Sequence, residues 1–467
     1  MHPNYPHIVK EFVSKLNKYK LIRRPNFTFG LFYATLLKQK FYFWNMKRLI
    51  LNIVTTITFL TAYNANAQVV EEQLVVENRV NAKEQQEKPY VILISIDGFR
   101  YDYPEKHQAN NLVELAKNGV RAEAMYPSFP SVTFPNHYTI ATGLTPIHHG
   151  LVGNNMLDRT TGDRYSLGNR EAVTNAKWYG GTPIWNLAEQ NNMLAACYYW
   201  PGSEAPINGM FPTYSYKYSE KTPIDERINE VTKWLELPAE KRPHLITFYF
   251  PEVDHAGHTF GPDAQETFDA VQFVDQSIKK LNDEVAKTGL DVNFIVVSDH
   301  GMTRIDDLNP MELPIKIEDE KLSVATSGSY VSLFVKDKAN IDAIYKEIKA
   351  KKDPRYDVYK TTNVPSKYHF DAKNDRYNRI GDIILIAHAP NYFSNRKAPK
   401  GAHGYLVKET PEMQANFIAW GPNFKKGEVI KPFPNTDVYP LVAKILDLEI
   451  KEPIDGTTKL ADKVLKK

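Results

Sequence analysis

The sequence has a single cysteine, Cys197, among its 467 residues. No disulfide can form within one chain, which excludes a small disulfide-stapled extracellular scaffold. Long apolar runs are also scarce. The apolar stretch Leu49–Ala62 has roughly 14 residues, whereas a helix needs ~20 to span a bilayer. The folded part must therefore be held together by its own hydrophobic core, which a chain of this length can build.

Excess positive charge is absent from most of the chain. The formal net charge is +3, but residues 1–67 contain 10 of the 58 lysines and arginines and 1 of the 55 acidic residues. The remainder therefore has more acidic than basic residues. This balance does not indicate a surface that binds nucleic-acid polymers, so we expect a small-molecule partner.

Residues 46–67 have the pattern of a secretory signal peptide. Met46-Lys47-Arg48 precedes the apolar stretch, and Ala65-Asn66-Ala67 ends it with a small-x-small cleavage pattern. We expect a periplasmic or secreted protein without stable membrane insertion after cleavage. Residues 1–45 then have no evident role, and we expect an upstream artefact or disorder; an uncleaved anchor with a basic tail is the alternative. Residues 68–88 predict a flexible lead-in.

From Pro89 onward, short apolar runs alternate with helical patterns. This alternation predicts an α/β domain over residues 89–467, with a mostly parallel central sheet flanked by helices. The polar stretch from about 305 to 400 predicts a small inserted α+β subdomain. We predict strands at Tyr90–Ile96, Leu194–Trp200, Leu245–Phe250, Phe294–Val297, Ile383–Ala387 and Asn416–Trp420, and helices at Ala109–Lys117, Ile224–Leu235, Ala264–Ala286 and Ile341–Lys351.

Three of the predicted strands lead into an aspartate: Asp97, Asp254 and Asp299. Ligands of open α/β sheets bind at the carboxyl ends of the strands. Three carboxylates gathered there would repel one another unless a cation lay among them. A single aspartate after a strand is usually a turn or capping residue, but three of them with histidines beside two favour a metal site.

Histidines complete the predicted ligand set. Asp254 and His258 are four residues apart, which puts both on one face of a helical turn. His300 directly follows Asp299, and His403 lies in a glycine-rich loop. Mixed carboxylate and imidazole ligands suit Zn²⁺ better than Mg²⁺. The number of ligands is too large for one tetrahedral zinc and is typical of a two-zinc site for displacement at phosphorus.

The other histidines near these motifs have plainer interpretations. We expect His255 to face solvent or to pack locally. The same expectation applies to His137, His148 and His149, with an outer contact to a metal ligand as their alternative.

Thr133 is the predicted nucleophile. Pro135 suits the first turn of a helix, so Thr133 should lie at a helix N-terminus, where exposed N–H groups favour a bound anion. A threonine hydroxyl is a weak nucleophile until metal coordination lowers its pKa. Asn136 follows three residues later, and we expect its amide to donate a hydrogen bond to the developing charge. An ordinary N-cap threonine is the alternative.

The ordered motifs resemble those of the nucleotide pyrophosphatase/phosphodiesterases, which belong to the alkaline phosphatase superfamily. The resemblance runs from about Tyr90 to Leu448 and implies an alkaline-phosphatase-like core. The matching motifs are Asp97-Gly98-Phe99-Arg100, Thr133-Phe134-Pro135-Asn136-His137, Trp200-Pro201-Gly202-Ser203, Asp254 to His258, Ser298-Asp299-His300-Gly301-Met302 and His403-Gly404-Tyr405.

The resemblance also implies roles for these residues. Asp254, His258 and His403 would bind one zinc; Asp97, Thr133, Asp299 and His300 would bind the other. Thr133 would form a phospho-threonine intermediate, and the products would include a nucleoside monophosphate. Asn136 would stabilise the oxyanion, and Phe134, Tyr218 and Tyr249 would hold a nucleobase. Asp158 to Lys177 departs from the animal members that cleave nucleotides, which leaves the nucleotide preference open. The absence of the family's disulfides and accessory domains indicates a bacterial member with the catalytic domain only.

Other functions remain open at this point. The same two-zinc core serves phosphomonoesterases, and related members cleave phospholipid head groups; a phosphonate hydrolase is a lesser option. The Thr133 motif contains no lysine or arginine to bind the extra charge of a monoester, which favours a diester. A sulfatase would need a modified cysteine or serine, and the surroundings of Cys197 do not fit. A non-catalytic binding module would not need the complete ligand set.

Overall fold

A computed structural model of the protein describes residues 73–467, so the predicted signal peptide and the segment before it lie outside the described residues. Among the described helices, none combines the length and the apolar character needed to cross a bilayer. The strands are β1 (Gln73–Val75), β2 (Tyr90–Ile96), β3 (Val120–Ala122), β4 (Met125–Tyr126), β5 (Asn155–Leu157), β6 (Arg164–Ser166), β7 (Ala195–Tyr198), β8 (Tyr214–Tyr216), β9 (Leu245–Phe250), β10 (Val292–Val297), β11 (Thr303–Arg304), β12 (Leu322–Thr326), β13 (Tyr330–Val335), β14 (Tyr356–Lys360), β15 (Ile383–Ala387), β16 (Gly401–Ala402), β17 (Phe417–Trp420), β18 (Glu428–Ile430) and β19 (Phe433–Pro434). The α-helices are α1 (Tyr103–Lys106), α2 (Asn110–Lys117), α3 (Thr133–Thr142), α4 (Pro146–His149), α5 (Arg170–Val173), α6 (Ile184–Gln190), α7 (Ile224–Glu236), α8 (Glu252–Phe260), α9 (Gln265–Lys287), α10 (Ile341–Lys349), α11 (Val438–Leu446) and α12 (Lys459–Val464).

The central sheet has nine strands in the order β1-β8-β7-β9-β2-β10-β17-β3-β18. The five strands from β8 to β10 all run parallel. This mostly parallel sheet, flanked by helices, confirms the predicted α/β class with an alkaline-phosphatase-like core. β17 runs antiparallel to both of its neighbours. Its continuous apolar run reflects burial on both faces, a property that does not depend on strand direction.

Apolar layers cover both faces of the central sheet. Along β2, Val91 and Leu93 pack into one layer, whereas Ile92 and Ile94 pack into the other. Helices α3, α6 and α11 contribute to the first layer, and α2, α7 and α9 contribute to the second. This double burial explains why the β2 sequence is apolar without alternation.

A second sheet lies within the stretch from 305 to 400 that we expected to form an inserted subdomain. Its strand order is β12-β13-β15-β14, with every pair antiparallel. Helix α10 packs Ile348 into the apolar cluster beneath this sheet. The apolar run of β15 resembles those of the central strands, but β15 belongs to this smaller sheet.

The segment that we predicted as a flexible lead-in is folded over its described residues, 73–88. β1 pairs antiparallel with β8 at the edge of the central sheet. Asn81 is buried, and its amide donates to the carbonyl oxygens of Ala239 and Arg242 at 2.8 and 2.7 Å. Polar composition suggested a flexible segment, but these long-range backbone contacts hold it in place.

Candidate active site

The parallel strands β9, β2 and β10 are neighbours, and the residues that follow them converge at one edge of the sheet. Asp97 directly follows β2, Asp299 follows β10 after one serine, and Asp254 lies in the first turn of α8 after β9. All three side chains are buried. The strand order thus brings together the three carboxylates that the sequence indicated.

Gly98 makes this close approach possible. Its φ of 68° lies in the left-handed region, which residues with a side chain rarely adopt. A Cβ at this position would lie 3.0 Å from the Cα of Asp254. The Gly98 N–H also donates to Asp299 Oδ1 at 3.2 Å, so one residue connects the ends of all three strands.

Three histidines near these carboxylates direct Nε2 toward them and use Nδ1 for a contact with a backbone carbonyl oxygen. The Nδ1 atoms of His258, His300 and His403 lie 2.8, 2.8 and 3.0 Å from the carbonyl oxygens of Gly401, Gly301 and Ser131. A carbonyl oxygen can only accept, so each Nδ1 carries the proton and donates. With Nδ1 used in this way, Nε2 is the ring nitrogen that each histidine can offer to a metal.

The ligand atoms are close together. Asp254 Oδ1 lies 3.5 and 3.6 Å from the Nε2 atoms of His258 and His403. Asp299 Oδ2 lies 2.9 Å from His300 Nε2, and Asp97 Oδ1 lies 3.5 Å from the same nitrogen. These three carboxylate oxygens are buried without a hydrogen-bond partner. Such orphaned oxygens are costly unless a cation binds them.

The electrostatics of these residues suit a bound cation. Burial, together with the nearby carboxylates of Asp299 and Asp254, raises the pKa of Asp97 well above its usual range. Burial, followed by the His300 and His258 rings, lowers the pKa of His403 well below its usual range. A divalent cation among these groups would stabilise the charged carboxylates and the neutral imidazoles together.

Two ligand groups can be distinguished. Asp97, Asp299 and His300 form one buried group, and Asp254, His300 and His403 form another, with the atoms of each group within 4.8 Å of one another. His258 Nε2 lies 3.0 Å from His403 Nε2, which brings it to the second group. The donor set therefore fits two metal ions, with His300 lying between the two groups.

Thr133 begins helix α3, as its neighbouring proline predicted. Its hydroxyl lies 3.3 Å from His300 Nε2 and is therefore beside the Asp97 group. The residue is half-buried, whereas most of the helix that follows is fully buried. In the first turn of α3, the Phe134 N–H donates to Asn154 Oδ1, the Asn136 N–H donates to the carbonyl oxygen of Val132, and Pro135 has no N–H. This helix start therefore offers an anion fewer free N–H groups than the sequence predicts.

The structure corrects the prediction for Asn136. This side chain is completely buried. Its amide nitrogen donates to the carbonyl oxygens of Pro130 and Val132 at 2.9 and 3.0 Å. Its oxygen accepts from Ser128 N and Asn435 Nδ2. Because its hydrogen-bonding positions are occupied, Asn136 holds the loop before Thr133 and cannot donate to a phosphoryl group.

Asn154 is a candidate that the sequence reading missed. Its Oδ1 accepts from the N–H of Phe134, the residue after Thr133, at 2.9 Å. This bond places Asn154 beside the residue that follows the nucleophile. Asn154 follows Gly150 and Gly153 in the loop after α4, and this glycine-rich context was the available signal. The loop is anchored by Arg379, whose guanidinium donates to Asp158 Oδ2 and Gly150 O.

The three predicted base-binding aromatics do not form one stack. Tyr218 and Tyr249 meet edge-to-face with their ring centroids 6.0 Å apart. Tyr218 is 37% exposed, whereas Tyr249 is only 7% exposed. Phe134 is half-buried and packs against Tyr165. Tyr218 and Phe134 therefore have ring surface available for a ligand, and Tyr249 has little.

The remaining histidines have distinct surroundings. His255 is exposed beside Glu220, in agreement with the expectation that it is not a ligand. His148 lies next to Asp455, and His149 contacts the Thr139 hydroxyl, so both have structural contacts elsewhere. His137 is buried, and its Nδ1 lies 3.2 Å from Asp299 Oδ2, which is the outer contact given as its alternative.

Comparisons with known proteins place this geometry in context. The model of the type I phosphodiesterase/nucleotide pyrophosphatase family matches residues 91–406. An uncharacterised pyrophosphatase/phosphodiesterase of Schizosaccharomyces pombe is 36% identical over 386 residues, covering 79% of this chain and 78% of that protein. Mouse ectonucleotide pyrophosphatase/phosphodiesterase family member 3 is 35% identical over 394 residues, covering 81% of this chain and 44% of its own. Venom phosphodiesterase 2 of Crotalus adamanteus is 36% identical, with 81% and 48% covered. The chain spans less than half the length of these two animal relatives.

Solved structures show the same similarity. Murine ectonucleotide pyrophosphatase/phosphodiesterase 5 superposes with a TM-score of 0.75 at 29% identity, covering 81% of this chain and all of that one. An inactive threonine-to-alanine variant of the murine protein in complex with AMP gives a TM-score of 0.74 at 28% identity. The structural similarity therefore extends over most of this chain.

Proposed function

Because the chain belongs to the type I phosphodiesterase/nucleotide pyrophosphatase family, we propose that it is a two-zinc hydrolase that cleaves phosphodiester and pyrophosphate bonds of nucleotides with Thr133 as the nucleophile. The observation that carries this proposal is the convergence of three orphaned carboxylate oxygens and three histidine Nε2 atoms beside the Thr133 hydroxyl. Bound zinc would supply Lewis acidity and would lower the pKa of the threonine hydroxyl and of water.

The protein residues account for metal binding and for the nucleophile. Asp254, His258 and His403 would hold one ion, and Asp97, Asp299, His300 and the Thr133 oxygen would hold the other. The tautomers fixed by Gly401, Gly301 and Ser131 leave each histidine Nε2 free to bind. An inactive murine relative with a threonine replaced by alanine supports an essential threonine in this family.

The proposed reaction has two displacements at one phosphorus atom. In the first, the Thr133 oxygen loses its proton and forms a bond to phosphorus, while the bond from phosphorus to the leaving oxygen breaks. In the second, water attacks the phosphothreonine, the Thr133 oxygen is released and regains a proton, and a nucleoside monophosphate leaves. Regeneration of the Thr133 hydroxyl restores the enzyme, and the two displacements give net retention of configuration at phosphorus.

The oxyanion donor in this proposal is Asn154 and not Asn136. Asn154 is oriented by the Phe134 N–H, whereas the amide of Asn136 is occupied by backbone carbonyls. Asn154 would stabilise the charge that develops on the phosphoryl oxygens.

A nucleotide is the proposed substrate because aromatic rings lie beside the nucleophile. Phe134 follows Thr133 directly and retains exposed ring surface, as does Tyr218. The murine relative bound to AMP supports a nucleoside monophosphate as the product. A phosphomonoesterase is the second candidate, since it would use the same metal ligands, but no cation occurs in the Thr133 motif to favour it.

We also propose that the protein is exported to the periplasm or secreted. The proposal rests on the basic start, apolar centre and small-residue end of residues 46–67. N-terminal sequencing of the protein recovered from outside the cytoplasm tests it, and a start at Gln68 is expected. Recovery of the uncleaved chain in the membrane fraction would instead indicate an anchor.

Product analysis tests the proposed reaction. Incubation with ATP should give AMP and pyrophosphate, because attack occurs at the phosphorus bonded to the nucleoside. ADP and inorganic phosphate as the first products would support the monoesterase. Metal analysis of the same sample should give two zinc ions per chain.

A further inference from the structure

The Tyr249 hydroxyl donates a hydrogen bond of 2.6 Å to Asp97 Oδ2. Both residues are buried, and they lie at the ends of the neighbouring strands β9 and β2. The other oxygen of the same carboxylate, Oδ1, has no hydrogen-bond partner and faces His300 Nε2 at 3.5 Å. The tyrosine therefore takes one carboxylate oxygen and leaves the other for a ligand.

His137 lies between the second carboxylate of this group and the backbone of the nucleophile. Its Nδ1 lies 3.2 Å from Asp299 Oδ2 and 2.9 Å from the carbonyl oxygen of Thr133. Its Nε2 lies 2.8 Å from the Ser95 hydroxyl on β2. The ring of His137 packs edge-to-face on that of Tyr249, with the centroids 5.2 Å apart. The two side chains thus form one buried unit beside the nucleophile.

We propose that Tyr249 and His137 are positioning residues, which hold Asp97, Asp299 and Thr133 in place to bind the metal ion on the Thr133 side. This inference rests on the proposed metal-dependent function. In this proposal, Tyr249 positions a metal ligand through its hydroxyl. The sequence had instead predicted that Tyr249 stacks on a nucleobase.

The reason lies in the crowding of the carboxylates. Asp97 is buried with Asp254 and Asp299 nearby, so repulsion among the three carboxylates favours rotation of the Asp97 side chain away from the other two. A fixed donor at Oδ2 restricts this rotation and directs Oδ1 toward His300. Outer-sphere hydrogen bonds of this kind typically change metal affinity or activity by about 10- to 100-fold when they are removed.

The variant Tyr249→Phe tests this proposal because it removes one hydroxyl and keeps the ring. Tyr138→Phe is the matched control: Tyr138 is equally buried, lies on the nucleophile helix and has a hydroxyl without a hydrogen-bond partner. Zinc affinity is measured for the metal-stripped proteins by competition with a chromogenic chelator, and metal-free thermal unfolding provides the check on folding.

We expect Tyr249→Phe to bind the zinc ion on the Thr133 side about 10- to 100-fold less tightly than wild type, with unchanged binding in Tyr138→Phe. At saturating zinc, KM for a nucleotide ester should be unchanged because the ring is retained. Unchanged zinc affinity in Tyr249→Phe would overturn the proposal. A wild-type protein that binds no zinc would instead contradict the proposed function itself, so the two failures are distinguishable.

A second pair of variants tests His137. His137→Ala should weaken binding of the same zinc ion, and His137→Asn should restore part of it, because the asparagine amide can donate from near the Nδ1 position. Equal zinc affinity in the alanine and asparagine variants would show that the ring serves only for packing, and would remove His137 from the proposal.

Discussion

The imidazole rings of His300 and His403 stack with their centroids 3.6 Å apart and their planes 12° from parallel. In the predicted division of ligands, His300 belongs to the Thr133 side and His403 to the other side. The stack therefore joins the two metal positions, and it explains why His300 occurs in both observed ligand groups. Two metal ions bound on either side of these stacked rings would lie close enough to act on one phosphoryl group.

Replacing the nucleophile should separate chemistry from metal binding. Thr133→Ala should reduce phosphodiesterase turnover by several orders of magnitude, because the oxygen that bonds to phosphorus is lost. Metal analysis should still find zinc, since six carboxylate and imidazole ligands remain. Turnover near the wild-type value would show that another group attacks phosphorus.

The two asparagines should respond differently to substitution. Asn154→Ala should lower kcat by about 100- to 1000-fold with little change in stability, as for the loss of one oxyanion donor. Asn136→Ala should lower the free energy of unfolding by about 1–3 kcal/mol, because buried partners lose their hydrogen bonds. Steady-state kinetics and urea unfolding of both variants check this assignment. A larger kcat loss in a stably folded Asn136→Ala would reverse it.

Tyr218 should contribute to nucleobase binding. Its ring is partly exposed near the site, and base–aromatic stacking is worth about 1–3 kcal/mol per base. Tyr218→Ala should therefore raise KM for a nitrophenyl nucleotide ester while leaving kcat nearly unchanged. A base-free aryl phosphodiester is the control substrate. An equal rise in KM for both substrates would exclude stacking on this residue.

Stability at low pH should depend on Asp455. Burial raises its pKa, but hydrogen bonds from His148 and Thr145 outweigh this and lower the value to about 2. Its ordinary pKa is about 3.9, so the charged form stabilises the fold above that pH, and the contribution is lost as the pH falls toward 2.

The variant Asp455→Asn isolates this contribution. It should be less stable than wild type at pH 6, and the difference should shrink between pH ~4 and pH ~2. Urea unfolding of the metal-free proteins measures the difference in free energy of unfolding at each pH. A difference that stays constant down to pH 2 would mean that the Asp455 carboxylate is not stabilised in the fold.

Much of the site could be predicted from the sequence because its ligands follow buried strands. Apolar runs marked β2, β9 and β10, and the residues after a strand in a parallel sheet must meet at one edge. The spacing from Asp254 to His258 corresponds to one turn of α8. These signals are local, so they require no knowledge of contacts between distant segments.

The rest of the site depends on contacts that sequence spacing does not reveal. Asn136 has the spacing of a residue that faces the phosphoryl group. In the structure, however, its amide is hydrogen-bonded to backbone groups of the loop from Ser128 to Val132. Asn154 lies in a separate loop and accepts a hydrogen bond from the N–H of the residue after the nucleophile. Likewise, the sequence predicts Tyr249 as a stacking residue, but in the structure its hydroxyl donates a hydrogen bond to Asp97. Each outcome is decided by long-range packing.

A paired rate assay tests the central claim most directly. The purified protein is given the nitrophenyl ester of thymidine monophosphate or plain nitrophenyl phosphate, each with and without a chelator, and kcat/KM is compared. The account predicts a strong preference for the diester, loss of that activity with chelator and recovery on adding zinc. Preference for the monoester, or diesterase activity that survives complete metal removal, would contradict it.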